Sequence, residues 1–167
     1  GHGYFKLQEG LSNNPGNTIG FWEYAECIEL VEDATCYASI QTNMVNALCA
    51  GFTNVNGLDW SWDPFNDDLG WASIAFSRAF QLTGNDQWKT LAKNAFDVAY
   101  GRGLDSDGGM FQSTDRTYPK ATIASAANCV AAWLIYQNYN DSSYLAKAQS
   151  LYSFMTNHCF IATNGEV

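Results

Sequence analysis

The sequence predicts an all-α protein made of helical hairpins that form part of an (α/α) toroid. Six segments have helical periodicity, and no segment of any length has the alternating pattern of a strand. Nearly uncharged helices alternate with amphipathic ones, and a helix that is apolar on all sides is expected to be buried. Repeated helix pairs stack into a solenoid or a closed ring. An inner ring wrapped by outer helices explains the alternation, and it brings the loops between pairs to one end.

The first hairpin follows an extended lead-in over residues 1–19 that is rich in Gly and Asn. A first helix is predicted from Phe21, and a second from about Ala38 to Phe52. The apolar face of the first helix consists of Phe21, Tyr24, Ala25, Ile28 and Val31. Its acidic stripe consists of Glu23, Glu26, Glu29 and Asp33. We interpret this stripe as a solvated face, with the wall of a sugar-binding cleft as the alternative.

The second hairpin contains an apolar segment with a single charge. Its first helix is predicted from about Leu69 to Leu82 and has Arg78 as its only charged residue, so we expect it to be buried. Turn residues end this helix. An amphipathic helix is then predicted from about Gln87 to Tyr100.

The third hairpin repeats this design. A helix from about Ala121 to Tyr136 carries no charge and is predicted to be buried, and an amphipathic helix follows from about Ser143 to Asn157. The apolar positions of the two hairpins correspond in pairs: Trp88 with Tyr144, Ala92 with Ala148, and Phe96 with Tyr152.

Composition favours a single domain, residues 1–167, and is compatible with neutral sugars as ligands. The chain is 47% hydrophobic and 15% aromatic, and 17 acidic against 8 basic residues give a net charge of −9. This sign argues against nucleic acid, which requires basic patches, and against anionic lipid. No run approaches the apolar length of a membrane span. Aromatic, carboxylate and amide groups are the ones that neutral sugars require.

Cysteine usage favours secretion. The five cysteines are Cys27, Cys36, Cys49, Cys129 and Cys159. They lack CxxC spacing, so no structural zinc site is predicted. Disulfides and free buried thiols remain equal alternatives, and no connectivity is predicted. Asn140 begins a glycosylation sequon in a predicted turn. We expect an extracellular or cell-wall location.

Two neighbouring acids, Asp67 and Asp68, precede the third helix and follow a loop rich in aromatic residues. Glycoside cleavage commonly uses two carboxyl groups, one to protonate the leaving oxygen and one to attack or to activate water. The alternative is that one of them caps the helix, because Asp is a favoured N-cap residue.

A second loop, residues 101–119, contains Asp105-Ser106-Asp107-Gly108, which is similar to the start of a calcium loop. The later ligands and the closing Glu are missing, so an ordinary Asp/Gly turn is favoured. We predict no metal and no cofactor.

Several separated patches form a recognisable set: Asn66-Asp67-Asp68-Leu69-Gly70-Trp71, Arg78-Ala79-Phe80-Gln81-Leu82-Thr83-Gly84, the pair Gly108-Gly109, Tyr144-Leu145-Ala146-Lys147-Ala148 and residues 161–167. Together they resemble glycoside hydrolase family 76, the endo-α-1,6-mannanases. The resemblance implies an (α/α)6 toroid and retaining hydrolysis of α-1,6-mannosidic linkages in mannan-type polysaccharide. It also implies that Asp67 is the nucleophile and Asp68 the acid/base.

Seven further residues are predicted to bind substrate: Asn66, Trp60, Trp62, Trp71, Phe111, Gln112 and Lys120. At least one of the loop tryptophans Trp60 and Trp62 is expected to face sugar, whereas Trp71 more often would be core.

The chain length corresponds to about half of a six-hairpin ring. We therefore expect a fragment of a longer catalytic domain, completed by the rest of a chain or by a second copy. The alternative function is a non-catalytic carbohydrate-binding or interaction domain on the same scaffold. Another toroid enzyme, such as an epimerase, is disfavoured because the chain has only two histidines.

Overall fold

The computed structural model describes residues 5–6, 18–35 and 42–159. These residues form six helices, and their only β-structure consists of isolated bridges. The helices are α1 Phe21–Ala34, α2 Thr42–Asn56, α3 Asn66–Thr83, α4 Asp86–Gly103, α5 Thr122–Tyr139 and α6 Ser142–His158. The predicted all-α class is confirmed.

The helices pair as three hairpins, with α1, α3 and α5 as inner helices and α2, α4 and α6 outside them. The central helix α3 packs against α1, α2, α4 and α5. Its residues are buried on nearly every side, as expected for a helix whose apolar residues are not confined to one stripe. The repeated hairpins and the alternation of inner and outer helices are therefore confirmed.

Helix α3 begins three residues earlier than predicted. Phe65 occupies its N-cap position, so Asp67 and Asp68 lie inside the first turn. The alternative that one of these acids caps the helix is therefore wrong. Helix α2 continues beyond its predicted end to Asn56, and residues 38–41, where it was expected to begin, lie outside the described residues.

The ends of the helices coincide with the predicted turn residues. Gly84 ends α3 with φ +69° and Asn140 ends α5 with φ +54°, both in the left-handed region that favours these two residue types. The side chains of Asn85 and Asp141 accept hydrogen bonds from the first-turn amides of α4 and α6. Asn140 is exposed, and its glycosylation stays a prediction.

Helix α5 is not buried on all sides, contrary to the prediction. Val130 and Trp133 are each 46% exposed, because α5 packs against α3, α4 and α6 and its remaining side is open among the described residues. The proposed equivalence of Phe96 and Tyr152 is also wrong: Phe96 is fully buried, whereas Tyr152 is 60% exposed on α6.

Among the described cysteines, Cys27, Cys49, Cys129 and Cys159 are all free thiols, and Cys36 lies outside the described residues. The described helices include none that is both long enough and apolar enough to span a bilayer. An extracellular location stays a prediction.

Candidate active site

An open groove lies over the amino-terminal ends of the inner helices. It has a volume of about 530 Å³, and we call it the acid groove. Its lining residues are Trp22, Glu26, Phe65, Asp67, Asp68, Trp71, Gln112 and Ile123. A larger groove of about 680 Å³ lies between α5 and α6, but no charged residue lines it. Both predicted acids thus face the same open groove.

Arg102 of α4 fixes the loop that precedes the acids. Its guanidinium donates hydrogen bonds to the carbonyl oxygens of Ser61 (3.1 Å) and Asp63 (2.6 Å) and to Oδ1 of Asn66 (2.7 Å). A planar guanidinium suits this task because its donors form a rigid fork. The start of α3 is therefore tied to the end of α4.

Asn66 connects α3 to two further elements. Its Nδ2 donates to the carbonyl of Phe111 (2.8 Å), and its backbone N–H donates to the carbonyl of Gln112 (2.7 Å). Its own carbonyl accepts from Nδ2 of Asn128 on α5 (2.9 Å). These bonds hold the α4–α5 loop and α5 against the first turn that carries the acids.

Asp67 lies in surroundings that supply hydrogen-bond donors. Burial raises the pKa of Asp67 above its ordinary value, while Gln112 Nε2, 3.4 Å from Oδ2, and the amides of Asp67 and Asp68 lower it. Oδ1 is buried without a hydrogen-bond partner of good geometry among the described residues. The Asp67 side chain is only 7% exposed, but it lines the groove.

Asp68 lies in surroundings that supply negative charge. Burial, followed by the charges of Asp63, Asp67 and Glu23, raises the pKa of Asp68 to about 7. A hydrogen bond to Asp63 acts in the same direction. The positive end of the α3 dipole favours anions, but these effects outweigh it. Near neutral pH, Asp68 can hold or release a proton.

The walls of the acid groove are aromatic. Trp22 on α1 is 46% exposed, and Trp71 is half-buried, packing against the hydrophobic core while it lines the groove. Phe65 contributes a third ring. Exposed aromatic faces next to carboxyl groups suit a ligand with alternating apolar and hydroxyl-bearing surfaces.

Two of the predicted substrate-binding residues are buried, and the prediction is wrong for both. Asn66 is fully buried, and its side-chain oxygen and nitrogen are bonded to Arg102 and Phe111. Trp60 is 4% exposed and packs edge-on against Phe52 and Phe76, at centroid distances of 5.1 and 5.0 Å. Both residues support the site without lining it.

Three others lie outside the lining of the acid groove. Trp62 is 57% exposed but packs edge-on against Phe21. The ring of Phe111 lies under the guanidinium of Arg116, at 4.7 Å. Lys120 pairs with Asp105 (2.7 Å) and with Asp107, so it closes its own loop. Gln112 and Trp71, in contrast, line the groove together with the two acids.

Four lining residues were not among the predicted site residues: Trp22, Glu26, Phe65 and Ile123. Glu26 belongs to the acidic stripe of α1, which we interpreted as solvated, with the wall of a sugar-binding cleft as the alternative. The amphipathic period of α1 was a usable signal, since Trp22 and Glu26 are four residues apart and therefore share a face. Nothing in the sequence pointed to Ile123, because it belongs to an apolar run that was assigned to the core.

The chain is thus an all-α protein of helical hairpins with two adjacent carboxyl groups in an aromatic groove. The model of glycosyl hydrolase family 76 matches residues 10–167. The chain therefore belongs to this family. Among curated protein sequences, none is similar enough to match.

Solved structures confirm the fold. The Lin0763 protein from Listeria innocua has a TM-score of 0.79 at 20% identity, over 95% of this chain and 50% of its own. Another similar structure is that of an α-1,6-mannanase, GH76A of Salegentibacter sp. HEL1_6, in complex with α-1,6-mannotriose. It is an inactive variant with two consecutive Asp-to-Asn changes, and has a TM-score of 0.79 at 19% identity, over 92% and 48% of the two chains. The chain spans about half the length of these structures.

Proposed function

We propose that the protein is a retaining glycoside hydrolase that cleaves α-1,6-mannosidic linkages, with Asp67 as nucleophile and Asp68 as acid/base. The observation that carries the proposal is the contrast between the two acids in one groove. Burial raises the pKa of both acids, but hydrogen-bond donors oppose the rise at Asp67, whereas the charges of neighbouring acids add to it at Asp68 and bring that pKa to about 7. Two carboxyl groups with separated pKa values are what this chemistry requires.

The reaction divides into two displacements. In the first, the Asp68 carboxyl gives its proton to the glycosidic oxygen while the Asp67 carboxylate attacks the anomeric carbon. The bond to the leaving sugar breaks and an ester to Asp67 forms. In the second, the Asp68 carboxylate takes a proton from water, the oxygen of which attacks the same carbon. The ester bond breaks, Asp67 is released as a carboxylate, and Asp68 is again protonated.

The shape of the acid groove supports cleavage within a polysaccharide chain. An open groove accommodates sugars on both sides of the scissile bond, and Trp22 and Trp71 offer apolar surfaces for sugar rings. The amide of Gln112 and the carboxylate of Glu26 are suited to hydroxyl groups. The mannan preference rests on the family and on the mannanase among the matching structures.

The activity is proposed for the whole protein. This chain spans about half the length of the matching structures, so a complete cleft would include further hairpins from the same chain or from a second copy.

An assay of reducing ends released from α-1,6-mannan tests the proposal. We expect Asp67→Asn and Asp68→Asn each to lower the rate by at least about 100-fold, because each removes a group required for a chemical step. Asp59→Asn, an exposed aspartate in the same loop, should keep wild-type activity. A retaining enzyme releases the α-anomer first, which NMR detects.

Mannan that binds to the wild type and to both variants, without any turnover, would contradict catalysis. It would instead support a carbohydrate-binding domain on the same scaffold.

A further inference from the structure

Asp63 is a buried acid that no step of the proposed reaction uses. It lies in the loop before α3 and is only 4% exposed, and it does not line the acid groove. Its carboxyl group nevertheless lies within hydrogen-bonding reach of the carboxyl group of Asp68. A buried acid in contact with a reacting acid affects where the proton resides.

The loop holds Asp63 firmly in place. Its Oδ1 accepts a hydrogen bond from the amide of Phe65 (2.9 Å), and its own amide donates to the carbonyl of Trp60 (3.1 Å). Its carbonyl accepts from Nη2 of Arg102 (2.6 Å). Side chain and backbone are therefore both anchored, and the carboxyl group cannot turn away from Asp68 without breaking these bonds.

Two carboxyl groups in hydrogen-bond contact share one proton, since the bond requires one donor and one acceptor. The surroundings decide which acid carries it. Burial raises the pKa of Asp63, but the Phe65 amide and the charge of Arg102 oppose that rise. Asp68 instead faces the acids Asp63, Asp67 and, from α1, Glu23.

The other charged groups near the site do not alter this balance. Glu26 on α1 lines the same groove and adds further negative charge, and α5 carries no charged residue. Arg102 on α4 is the cation that acts on Asp63. The proton of the pair therefore resides on Asp68.

We propose that Asp63 is a positioning residue that keeps the Asp68 carboxyl group protonated and oriented for proton donation. This rests on the proposed function of Asp68 as the acid/base. Once the proton has moved to the leaving oxygen, Asp63 and Asp68 are two facing carboxylates. Their repulsion then drives Asp68 to take a proton from the attacking water, which restores the starting state.

The variant Asp63→Asn tests this role. Asn can still accept from the Phe65 amide, but its Nδ2 donates to Asp68 and stabilises the ionised form. We expect the alkaline limb of the kcat/KM–pH profile to move down by about 1 pH unit or more. Activity at pH 7 relative to pH 5 should then fall by about fivefold or more.

The leaving group supplies a readout that a purely structural role would not move. An aryl mannoside with a dinitrophenolate leaving group needs no proton donor for its first step. We expect Asp63→Asn to lose much less activity on this substrate than on mannan. The matched control is Asp59→Asn, which makes the same change at an exposed position of the same loop and should leave both profiles unchanged. An unshifted alkaline limb in Asp63→Asn would overturn the proposal.

A measurement on the wild-type chain is independent of turnover and of the folding of the variant. Carboxyl carbon NMR should show Asp63 and Asp68 titrating in the same two linked steps. Independent single titrations would overturn the inference even if Asp63→Asn fails to fold. Linked titration in a protein that never cleaves mannan would keep the Asp63–Asp68 pair and reject the hydrolase.

Discussion

Arg78 is one cation that faces three carboxyl groups. Its guanidinium on α3 pairs with Glu29 (3.1 Å), Glu32 (3.5 Å) and Asp33 on α1. Glu32 has a fully buried side chain, and burial raises its pKa to about 9 despite the nearby arginine. Burial, followed by the charge of Glu26, raises the pKa of Glu29 to about 7. The charge of Arg78 therefore does not offset the cost of ionising all three carboxyl groups.

The pKa of Glu32 makes folding dependent on pH. Because its folded pKa lies above the unfolded value of 4.5, its contribution to stability is fully present below about pH 4.5. That contribution is lost as the pH rises towards about 9. We expect Glu32→Gln to raise the free energy of unfolding at pH 8 and to flatten its pH dependence, whose slope from one group is at most about 1.4 kcal/mol per pH unit.

Urea unfolding between pH 4.5 and 9 measures this effect. Asp59→Asn, which removes a carboxylate from an exposed position outside the Arg78 cluster, should keep the wild-type slope in this range. A Glu32→Gln variant that is less stable than the wild type at pH 8 would show that the ionised Glu32–Arg78 pair is net stabilising.

At the residue scale, the sequence pointed to the acid pair, but separate roles for the two acids were implied only by the family resemblance. Asp67 and Asp68 are adjacent and chemically identical, so only their neighbours distinguish them. Those neighbours include Gln112 and Glu23, which are distant along the chain, and Asp63, whose role depends on how the loop folds.

At the scale of the elements, the contact between α3 and α5 depends on Gly70. A Cβ atom built there would lie 2.8 Å from Cβ of Ala127 and 3.1 Å from Nδ2 of Asn128. Both distances are shorter than ordinary contacts, so the helices could not approach as closely with any other residue.

We expect Gly70→Ala to destabilise the protein by about 1–3 kcal/mol, the usual cost of overpacking a close contact. Gly101→Ala is the matched control. Gly101 is an exposed position of α4, and a Cβ atom built there would meet nothing within 4 Å. This second change should stabilise by about 0.5–1 kcal/mol, because Ala is a better helix former. Thermal or chemical unfolding of the two variants should therefore give opposite signs.

The sequence predicted each helix because periodicity and turn residues are local signals. The start of α3 was predicted too late, because its first amide is satisfied by the carbonyl of Gln112, a partner from a later loop. The exposure of Val130 and Trp133 was not predicted either, because it depends on which other part of the chain packs against α5. A charge-free helix looks equally buried whether or not a neighbour covers its last side.

At the scale of the whole molecule, apolar side chains of α5 and α6 form an open face. Val130, Trp133, Leu145 and Tyr152 line the groove of about 680 Å³ there. Exposed apolar patches of this kind promote association or binding of hydrophobic dyes.

We expect Trp133→Glu to lower the fluorescence of a bound hydrophobic dye and to reduce concentration-dependent association of this chain, as measured by sedimentation velocity. Leu58→Glu is the control, since Leu58 is similarly exposed but lies in the loop before α3. Equal effects of the two changes would contradict a role specific to this face.

The sequence predicted where the acid groove lies, but not which residues line it. The ring arrangement predicted that loops meet at one end, and the acids do lie there. Its lining, however, combines α1, α3, α5 and the α4–α5 loop, and which residues meet depends on the angles between helices. Trp22 was therefore overlooked, and Trp60 was placed in the site although it belongs to the core.

The side-chain amide of Asn66 accepts a hydrogen bond from the Arg102 guanidinium through Oδ1 and donates one to the Phe111 carbonyl through Nδ2. Aspartate at this position would set a second oxygen against the Phe111 carbonyl, and lysine in place of Arg102 would lose the fork that spans three acceptors. Neither position can vary alone without loosening the first turn of α3. Over evolutionary time, the two positions should therefore change together or stay fixed together, even though neither residue reaches the groove.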